Sequence, residues 1–208
     1  MATISLGMCT THGPILNTTP EEWMLRVPVD LKTRHWFRNK EYNFDELVEL
    51  RKANNFAAQI TLEERTRRHA LCQQGVAKLA EIWDQEKPDV AVILGNDQRE
   101  LVLDSMQPMF TIYYGDTFWQ KPLDADRTAR LSVGIKETEW AYRPHEPVVW
   151  PGLPELANLA FEMAEDAGFD FASSKSWPDM GNHHHLGTPH AFSWIIRRVM
   201  KDNPVPIL

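Results

Sequence analysis

The chain has 208 residues, of which 43% are hydrophobic and 25% are charged, and its formal net charge is −7. This composition predicts one folded domain with a substantial core, and the acidic balance argues against a nucleic-acid-binding surface. No window approaches about 18 consecutive apolar residues, and the amino terminus lacks a basic region followed by an apolar one, so neither a membrane span nor a signal peptide is predicted. We expect a cytoplasmic protein whose two cysteines, Cys9 and Cys72, are reduced thiols.

A short apolar segment of β type, residues 3–6, opens the chain and leads to His12, which is followed by the turn residues Gly13 and Pro14. Open α/β sheets bind their ligands at strand ends, so a histidine at this point is a candidate site residue. The alternative is a loop histidine that is bonded only to backbone groups.

Two long segments without a clear helix or strand pattern, residues 20–42 and 115–150, are rich in aromatic side chains. Such segments often form lids or pocket walls, although the rings could equally cover the sheet. The first segment also contains Arg34 and Arg38. Because a guanidinium binds a carboxylate through two hydrogen bonds, these arginines are candidates for binding a carboxylate substituent of a substrate.

Two capping patterns predict helices in the first half of the chain. Asn43, with Glu46 three residues later, is typical of a helix start, and we expect this helix over residues 44–53. Thr61 and Glu64 form the same pattern before a longer helix that ends ahead of Lys87 and Pro88. The residues expected on the buried face of the longer helix are Leu62, Cys72, Val76, Leu79 and Trp83.

The second half of the chain alternates between strand and helix patterns. Residues 89–95 form a continuous β-branched run that predicts a strand buried on both faces, and residues 109–114 predict another strand. Residues 153–167 predict a helix that ends before Gly168. The residues expected on its buried face are Leu156, Leu159, Ala160 and Met163. This order predicts an α/β fold with three layers, α/β/α, around a largely parallel or mixed central sheet.

Polar residues follow the predicted strand over residues 89–95. Asn96, Asp97 and Gln98 stand at its carboxyl end and face the same crevice as His12 if the two strands are parallel neighbours. Turn chemistry alone is the alternative explanation, since Gly, Asn and Asp are common turn residues.

Four of the eight histidines lie in residues 183–190, ahead of a predicted helix with Thr188 as its N-cap and Pro189 at its first position. Three consecutive histidines are compatible with a metal-binding tract, although adjacent side chains seldom reach one metal. An internal run of three between turn and helix signals is unlike a purification tag. A solvated polar loop is the alternative.

Taken in chain order, the run from Thr10 to Pro14, the strand that ends at residues 96–98 and the histidine-rich segment that leads into residues 189–192 resemble the class III extradiol ring-cleavage dioxygenases. This group contains the protocatechuate 4,5-dioxygenase beta subunit, and the resemblance spans most of the chain. It implies one domain that binds non-haem Fe(II) through two histidines and a carboxylate, with open positions for a catechol and dioxygen. It also implies that His12 is the first iron ligand.

The chain departs from this family in two places. Gln98 stands where members commonly have a histidine, and an amide carbonyl is a weaker ligand. The carboxylate ligand of the family lies well downstream of its acid/base histidine, whereas this sequence ends at Leu208, in a strand-like segment that starts at Val205. We therefore expect a single catalytic domain over residues 1–208 that is incomplete at its carboxyl-terminal end.

The resemblance implies that a catechol-type diol binds Fe(II) held by His12, by Gln98 or Asp97, and by a carboxylate beyond Leu208. A histidine of the cluster is expected to take the diol proton and to return a proton during ring opening. The expected acid/base histidine is His185, with His184 and His190 as its alternates.

Two other functions stay open at this point. The same histidines could surround a zinc-bound water in a hydrolase, or the chain could be a homologue that has lost its metal at Gln98 and acts as a binding or regulatory partner. For the dioxygenase, the expected partners are a small aromatic diol and O2, with a small partner subunit or a homo-oligomer as possible assemblies.

Overall fold

The computed structural model describes residues 3–105, 107–177 and 186–208. Within these ranges the protein is a mixture of helices and short strands, which confirms the predicted α/β class. The α-helices are α1 (Val27–Asp30), α2 (Phe44–Leu50), α3 (Phe56–Gln59), α4 (Leu62–Glu86), α5 (Ala125–Arg130), α6 (Pro154–Asp166) and α7 (His190–Arg198). The strands are β1 (His35–Phe37), β2 (Lys40–Tyr42), β3 (Thr111–Tyr113), β4 (Thr117–Gln120), β5 (Val148–Pro151) and β6 (Ala172–Ser174). Among the described residues, 3-10 helices cover Pro14–Leu16, Glu22–Arg26, Lys52–Asn54 and Lys136–Ala141.

The capping patterns predict the helix starts correctly. The Asn43 side chain accepts a hydrogen bond from the backbone N–H of Glu46, and the Glu46 carboxylate accepts one from the N–H of Asn43. At α4 the Thr61 hydroxyl accepts from the N–H of Glu64, whereas the Glu64 carboxylate bonds Arg67 and Arg68 instead of the Thr61 N–H. These bonds satisfy N–H groups that have no partner inside the helix, which is why they fix its first residue.

The longest helix, α4, has 25 residues and buries little of its surface. Val76 is buried, and Leu79 and Trp83 pack against the core, as predicted. Leu62 and Cys72 are exposed, so the prediction of a buried face fails for the amino-terminal half of the helix. In the described part of the chain, no helix combines the length and apolar character needed to cross a bilayer.

The described strands form three two-stranded sheets. β1 and β2 pair antiparallel, β3 and β6 pair parallel, and β4 and β5 pair antiparallel. The three-layer arrangement around one central sheet therefore stays a prediction.

Two predicted strands are wrong. Residues 3–6 form no regular element, and the run over residues 89–95 forms no regular strand, although Ala91 and Ile93 donate backbone hydrogen bonds to the carbonyls of Pro206 and Leu208. Ala91 is buried, but Val92 is 56% exposed and Leu94 is 91% exposed. A β-branched run favours extended backbone, but burial on both faces requires neighbours, and the described residues cover Ala91 while leaving Val92 and Leu94 exposed.

The strand-like segment from Val205 to Leu208 has backbone partners on both sides. Leu208 donates to the carbonyl of Ala91 at 2.9 Å, and Ile207 donates to the carbonyl of Pro151 at 3.0 Å. Parallel bridges join Ile207 to Ala91 and to Gly152, and the Ile207 side chain is buried.

The helix α7 lies between two clusters of buried side chains. Trp194 and Val199 belong to a cluster with Leu16 and Val76, whereas Ile196 belongs to the second. The other buried members of the second cluster are Ala91, Phe118, Trp150, Met200 and Ile207. The helix α7 therefore contributes buried side chains to both clusters.

The helix α6 ends before Gly168, which has φ +76° as a helix-terminating glycine does. Its buried face differs from the predicted one. Ala157 is fully buried, whereas Leu159 and Met163 are exposed.

Candidate functional site

His12 is held by a buried chain of polar groups. The Tyr142 hydroxyl donates to the backbone carbonyl of His12 at 2.5 Å and accepts from the Asn17 side chain at 3.0 Å. The side-chain oxygen Oδ1 of Asn17 in turn accepts from the Trp194 indole N–H at 3.0 Å. Burial raises the pKa of Tyr142 to about 12, so its hydroxyl keeps the proton that it donates. The loop around His12 is thus fixed to α7.

Gln98 reaches His12 from a tight turn. The amide nitrogen Nε2 of Gln98 lies 2.7 Å from Nε2 of His12, so the amide N–H donates to the lone pair of the imidazole. Gln98 and Arg99 have φ of 52° and 65°, a left-handed conformation that costs energy for residues with a Cβ. The predicted meeting of His12 with the polar residues after the β-branched run is therefore observed for Gln98.

Asp97 stabilises this turn. One carboxylate oxygen accepts from the N–H of Leu101 at 2.8 Å, and the other accepts from the N–H of Val102 at 2.9 Å. Turn chemistry, the alternative considered from the sequence, explains Asp97. Its role as a metal ligand stays a prediction, and the geometry favours Gln98 over Asp97 as the neighbour of His12.

The start of α7 is fixed to β4. Thr188 donates its backbone N–H and its hydroxyl to the carbonyl of Trp119, at 2.8 and 3.0 Å. Gly187 has φ +87°, and a Cβ there would lie 2.0 Å from the same carbonyl oxygen. Only glycine allows this approach. The helix begins at His190, with Pro189 in the capping position, so Thr188 anchors the helix start instead of capping it.

His190 completes the cluster around His12. The two imidazole rings meet edge to face with centroids 5.0 Å apart, and the Tyr142 ring lies 5.2 Å from the His190 ring. Residues from opposite ends of the sequence are therefore neighbours. His184 and His185, the other two candidates for acid/base chemistry, lie outside the described residues.

Glu100 is a site residue that the sequence reasoning missed. Its buried carboxylate accepts a hydrogen bond from the imidazole Nδ1 of His190, and Arg143 Nη2 lies 4.0 Å from the carboxylate. Arg143 also pairs with Glu139, at 3.3 Å. Glu100 ends the polar run that begins at Gly95, so its position beside the candidate site was visible in the sequence, but nothing local indicates that it is buried.

Burial shifts the pKa values of several side chains in and around this cluster. It raises the pKa of Glu139, although the nearby Arg143 guanidinium lowers it, and it lowers the pKa of Arg143. Burial also lowers the pKa of His12, with a smaller contribution from His190 in the same direction, while Glu100 acts in the opposite direction. A lower pKa keeps His12 neutral, which is the form that binds metals.

The donor set fits part of an iron site. A neutral imidazole and an amide oxygen both bind divalent metals, and Gln98 would present its oxygen to a metal on His12 after a half-turn of the amide. Among residues 3–105, 107–177 and 186–208, however, no three His, Cys, Asp or Glu side chains are grouped to hold a metal. The described residues thus supply His12 and Gln98 but no complete set of two histidines and a carboxylate.

The two candidate substrate-binding arginines lie on the β1–β2 hairpin. Arg34 pairs with Glu41 at 3.4 Å, and the Arg38 guanidinium lies over the Phe37 ring at 5.1 Å. No hydrogen bond, ion pair or ring contact among the described residues links either arginine to the His12 cluster. Their role in binding a carboxylate stays a prediction.

No family model, curated protein or solved structure matches the chain. What the structure defines is an α/β protein with a cluster of His12, Gln98, Glu100 and His190 at the start of α7. The resemblance to the extradiol dioxygenases rests on the short motifs in the sequence.

Proposed function

We propose that the chain is the catalytic domain of an extradiol dioxygenase that uses non-haem Fe(II) to cleave the ring of a catechol-type substrate in aromatic compound catabolism. The observation that carries the proposal is the contact of His12 with Gln98 and His190. These three residues come from three distant motifs, and the same motifs carry the resemblance to the dioxygenase family.

In this proposal His12 is an iron ligand and Gln98 is its neighbour in the ligand set. Bound iron would supply Lewis acidity and open positions for the diol and for dioxygen. His12 is suited to this role because burial favours its neutral form. The bond from Tyr142 to its backbone carbonyl holds the loop, so the imidazole is positioned before a metal binds.

His190 is the acid/base group that the described geometry supports among the three histidines named from the sequence. It lies against His12, and its Nδ1 is engaged by Glu100. The imidazole takes a proton from the diol and returns one when the ring opens, which is the usual role of a histidine in general acid–base catalysis. His185 and His184 stay predictions.

We further propose a cytoplasmic location and small-molecule partners, a catechol-type diol and O2. Cys9 and Cys72 are both free and exposed, as expected where thiols stay reduced.

One observation favours a second candidate, a homologue without catalytic metal. The Gln98 amide N–H donates to the lone pair of His12 that a metal would use. A metal-free binding partner would keep this contact, whereas a dioxygenase must rotate the amide to release the lone pair.

Metal analysis and oxygen uptake test the two candidates together. After anaerobic reconstitution with Fe(II), the complete protein should hold iron and consume O2 when a catechol is added. His12→Ala should lose the iron, and His190→Ala should keep it and turn over about 100- to 10,000-fold more slowly. His145→Ala, at an exposed histidine, is the control and should behave as wild type. Zinc with hydrolytic activity, or no bound metal at all, would reject the dioxygenase.

A further inference from the structure

Glu100 contacts both the backbone and the side chain of His190. Its carboxylate oxygens lie 3.3 and 3.2 Å from the backbone nitrogen of His190, and one of them also bonds Nδ1 of the His190 ring. His190 is the first residue of α7, where backbone N–H groups lack partners within the helix and the helix dipole attracts negative charge. The carboxylate therefore holds both the backbone and the side chain of His190.

The contact with Nδ1 determines which ring nitrogen carries the proton. A carboxylate only accepts hydrogen bonds, so a neutral His190 must place its proton on Nδ1 to make this bond. The lone pair of the ring then belongs to Nε2. The exposed fraction of the side chain is 26% for His190 and 7% for Glu100. The His190 side chain therefore keeps part of its surface accessible to solvent, whereas the carboxylate that holds it is buried.

Arg143 contacts the Glu100 carboxylate and links it to Glu139. Arg143 Nη2 lies 4.0 Å from the Glu100 carboxylate, and its Nε lies 3.3 Å from the Glu139 carboxylate. Both Arg143 and Glu100 are buried, where a lone charge would be costly, so the guanidinium compensates the carboxylate. The backbone carbonyl of Tyr142 also accepts from the Ser193 hydroxyl at 2.7 Å, which ties this segment to α7.

We propose that Glu100 is a positioning residue that fixes His190 as the tautomer protonated on Nδ1 and so makes Nε2 the atom that accepts and returns the substrate proton. The consequence for catalysis rests on the proposed dioxygenase function. The tautomer itself follows from the contacts of Glu100 alone and does not depend on iron or on any activity.

The test of the tautomer uses 15N NMR of the histidine rings in the metal-free full chain at alkaline pH, where imidazoles are neutral. The His190 signals are assigned by their loss in His190→Gln. In the wild type Nδ1 should give the shift of a protonated ring nitrogen and Nε2 that of an unprotonated one. The opposite pattern in the wild type overturns the proposal, whatever the variants do.

Two variants distinguish the contact of Glu100 with His190 from the charges around Arg143. Glu100→Leu removes the acceptor, so both tautomers of His190 should become populated. Glu139→Gln is the matched control, because it changes the other carboxylate on Arg143 and should leave the His190 signals in the wild-type pattern. A His190 that stays protonated on Nδ1 in folded Glu100→Leu, or one that changes tautomer equally in both variants, overturns the assignment to Glu100.

Kinetics with Fe(II) and a catechol test the catalytic consequence. Glu100→Leu should lower kcat by about 10- to 100-fold, the usual effect of removing the partner that orients an active-site histidine, with KM and bound iron near wild type. A Glu100→Leu enzyme with wild-type kcat contradicts the positioning role. If the wild type binds no iron and cleaves no catechol, the proposed function fails, whereas the NMR result still decides the tautomer.

Discussion

The surroundings of α7 differ from residues 89–105 and 107–110 in how deeply their apolar side chains are buried. Trp194 and Ile196 of α7 are fully buried, and the polar groups between them and His12 are linked by hydrogen bonds. In the other segment Leu94 is 91% exposed and Met109 is 78% exposed. His190 thus comes from the best-packed helix, whereas Gln98 comes from a turn that follows a poorly buried run.

This difference explains how the candidate site is built. A buried helix and its polar chain fix His12 and His190, and a strained turn stabilised by Asp97 brings Gln98 to them. Local opening costs least where few apolar side chains are buried, so we expect the Gln98 side to adapt to a ligand and the α7 side to stay fixed.

The largest expected effect is a contrast in stability between the two regions. Trp194→Ala should lower the free energy of unfolding by about 3–5 kcal/mol, because it leaves a cavity in the core and removes the donor to Asn17. Leu94→Ala should change it by less than about 0.5 kcal/mol, as is usual for exposed positions. Urea denaturation measures both values. Equal losses for the two variants would contradict the contrast in packing.

A smaller effect is expected where α7 joins β4. Gly187→Ala should destabilise the protein by roughly 1–3 kcal/mol, because a Cβ at φ +87° would meet the Trp119 carbonyl oxygen. Gly75→Ala is the matched control in the interior of α4. There no atom lies within 4 Å of the added Cβ, so the same change should stabilise by about 0.5–1 kcal/mol. Thermal denaturation shows whether each variant is less or more stable than the wild type. A Gly187→Ala variant of unchanged stability would contradict the close approach of residue 187 to the Trp119 carbonyl.

The polar chain behind His12 gives a third test. Tyr142→Phe leaves the Asn17 amide and the His12 carbonyl without their shared partner, and we expect a loss of about 1–3 kcal/mol. Tyr114→Phe removes a hydroxyl that has no hydrogen-bond partner among the described residues, so it is the control. If both variants unfold at the same urea concentration, the hydrogen bonds of Tyr142 do not stabilise the loop that holds His12.

The smallest expected effect is a dependence on pH. Burial raises the pKa of Glu139 above its usual 4.5, so the folded state holds this proton more tightly than the unfolded state does. The stability that Glu139 contributes is therefore present at acidic pH and is lost as the pH rises through its folded-state pKa. The stability of the wild type relative to Glu139→Gln should fall from pH 4.5 upward. If the stability of the wild type relative to Glu139→Gln rises with pH instead, the prediction for Glu139 is wrong.

The sequence predicts local features of the fold well and non-local ones poorly. Asn43, Thr61 and Gly168 mark helix ends correctly, because a cap depends on neighbours in the chain. The strand over residues 89–95 is wrong because its burial depends on distant partners, of which the structure supplies Ile207 at Ala91. Composition cannot specify such a partner.

The sequence also predicts only part of the candidate site. The motifs bring His12 and Gln98 together as predicted, and they name His190 among the candidates. They do not predict Glu100 or Arg143, because a charged residue is usually exposed, and only the tertiary structure shows that these two compensate each other in the interior. Buried charge pairs leave no periodic signal in a sequence.

The most direct test of the dioxygenase proposal is the fate of labelled oxygen. The complete protein, reconstituted with iron, is given a catechol under 18O2, and the product is examined by mass spectrometry. The proposal predicts a ring-opened product that carries both labelled atoms and that is absent from His12→Ala. A ring-opened product without label, or an unchanged catechol with iron bound at His12, would contradict it.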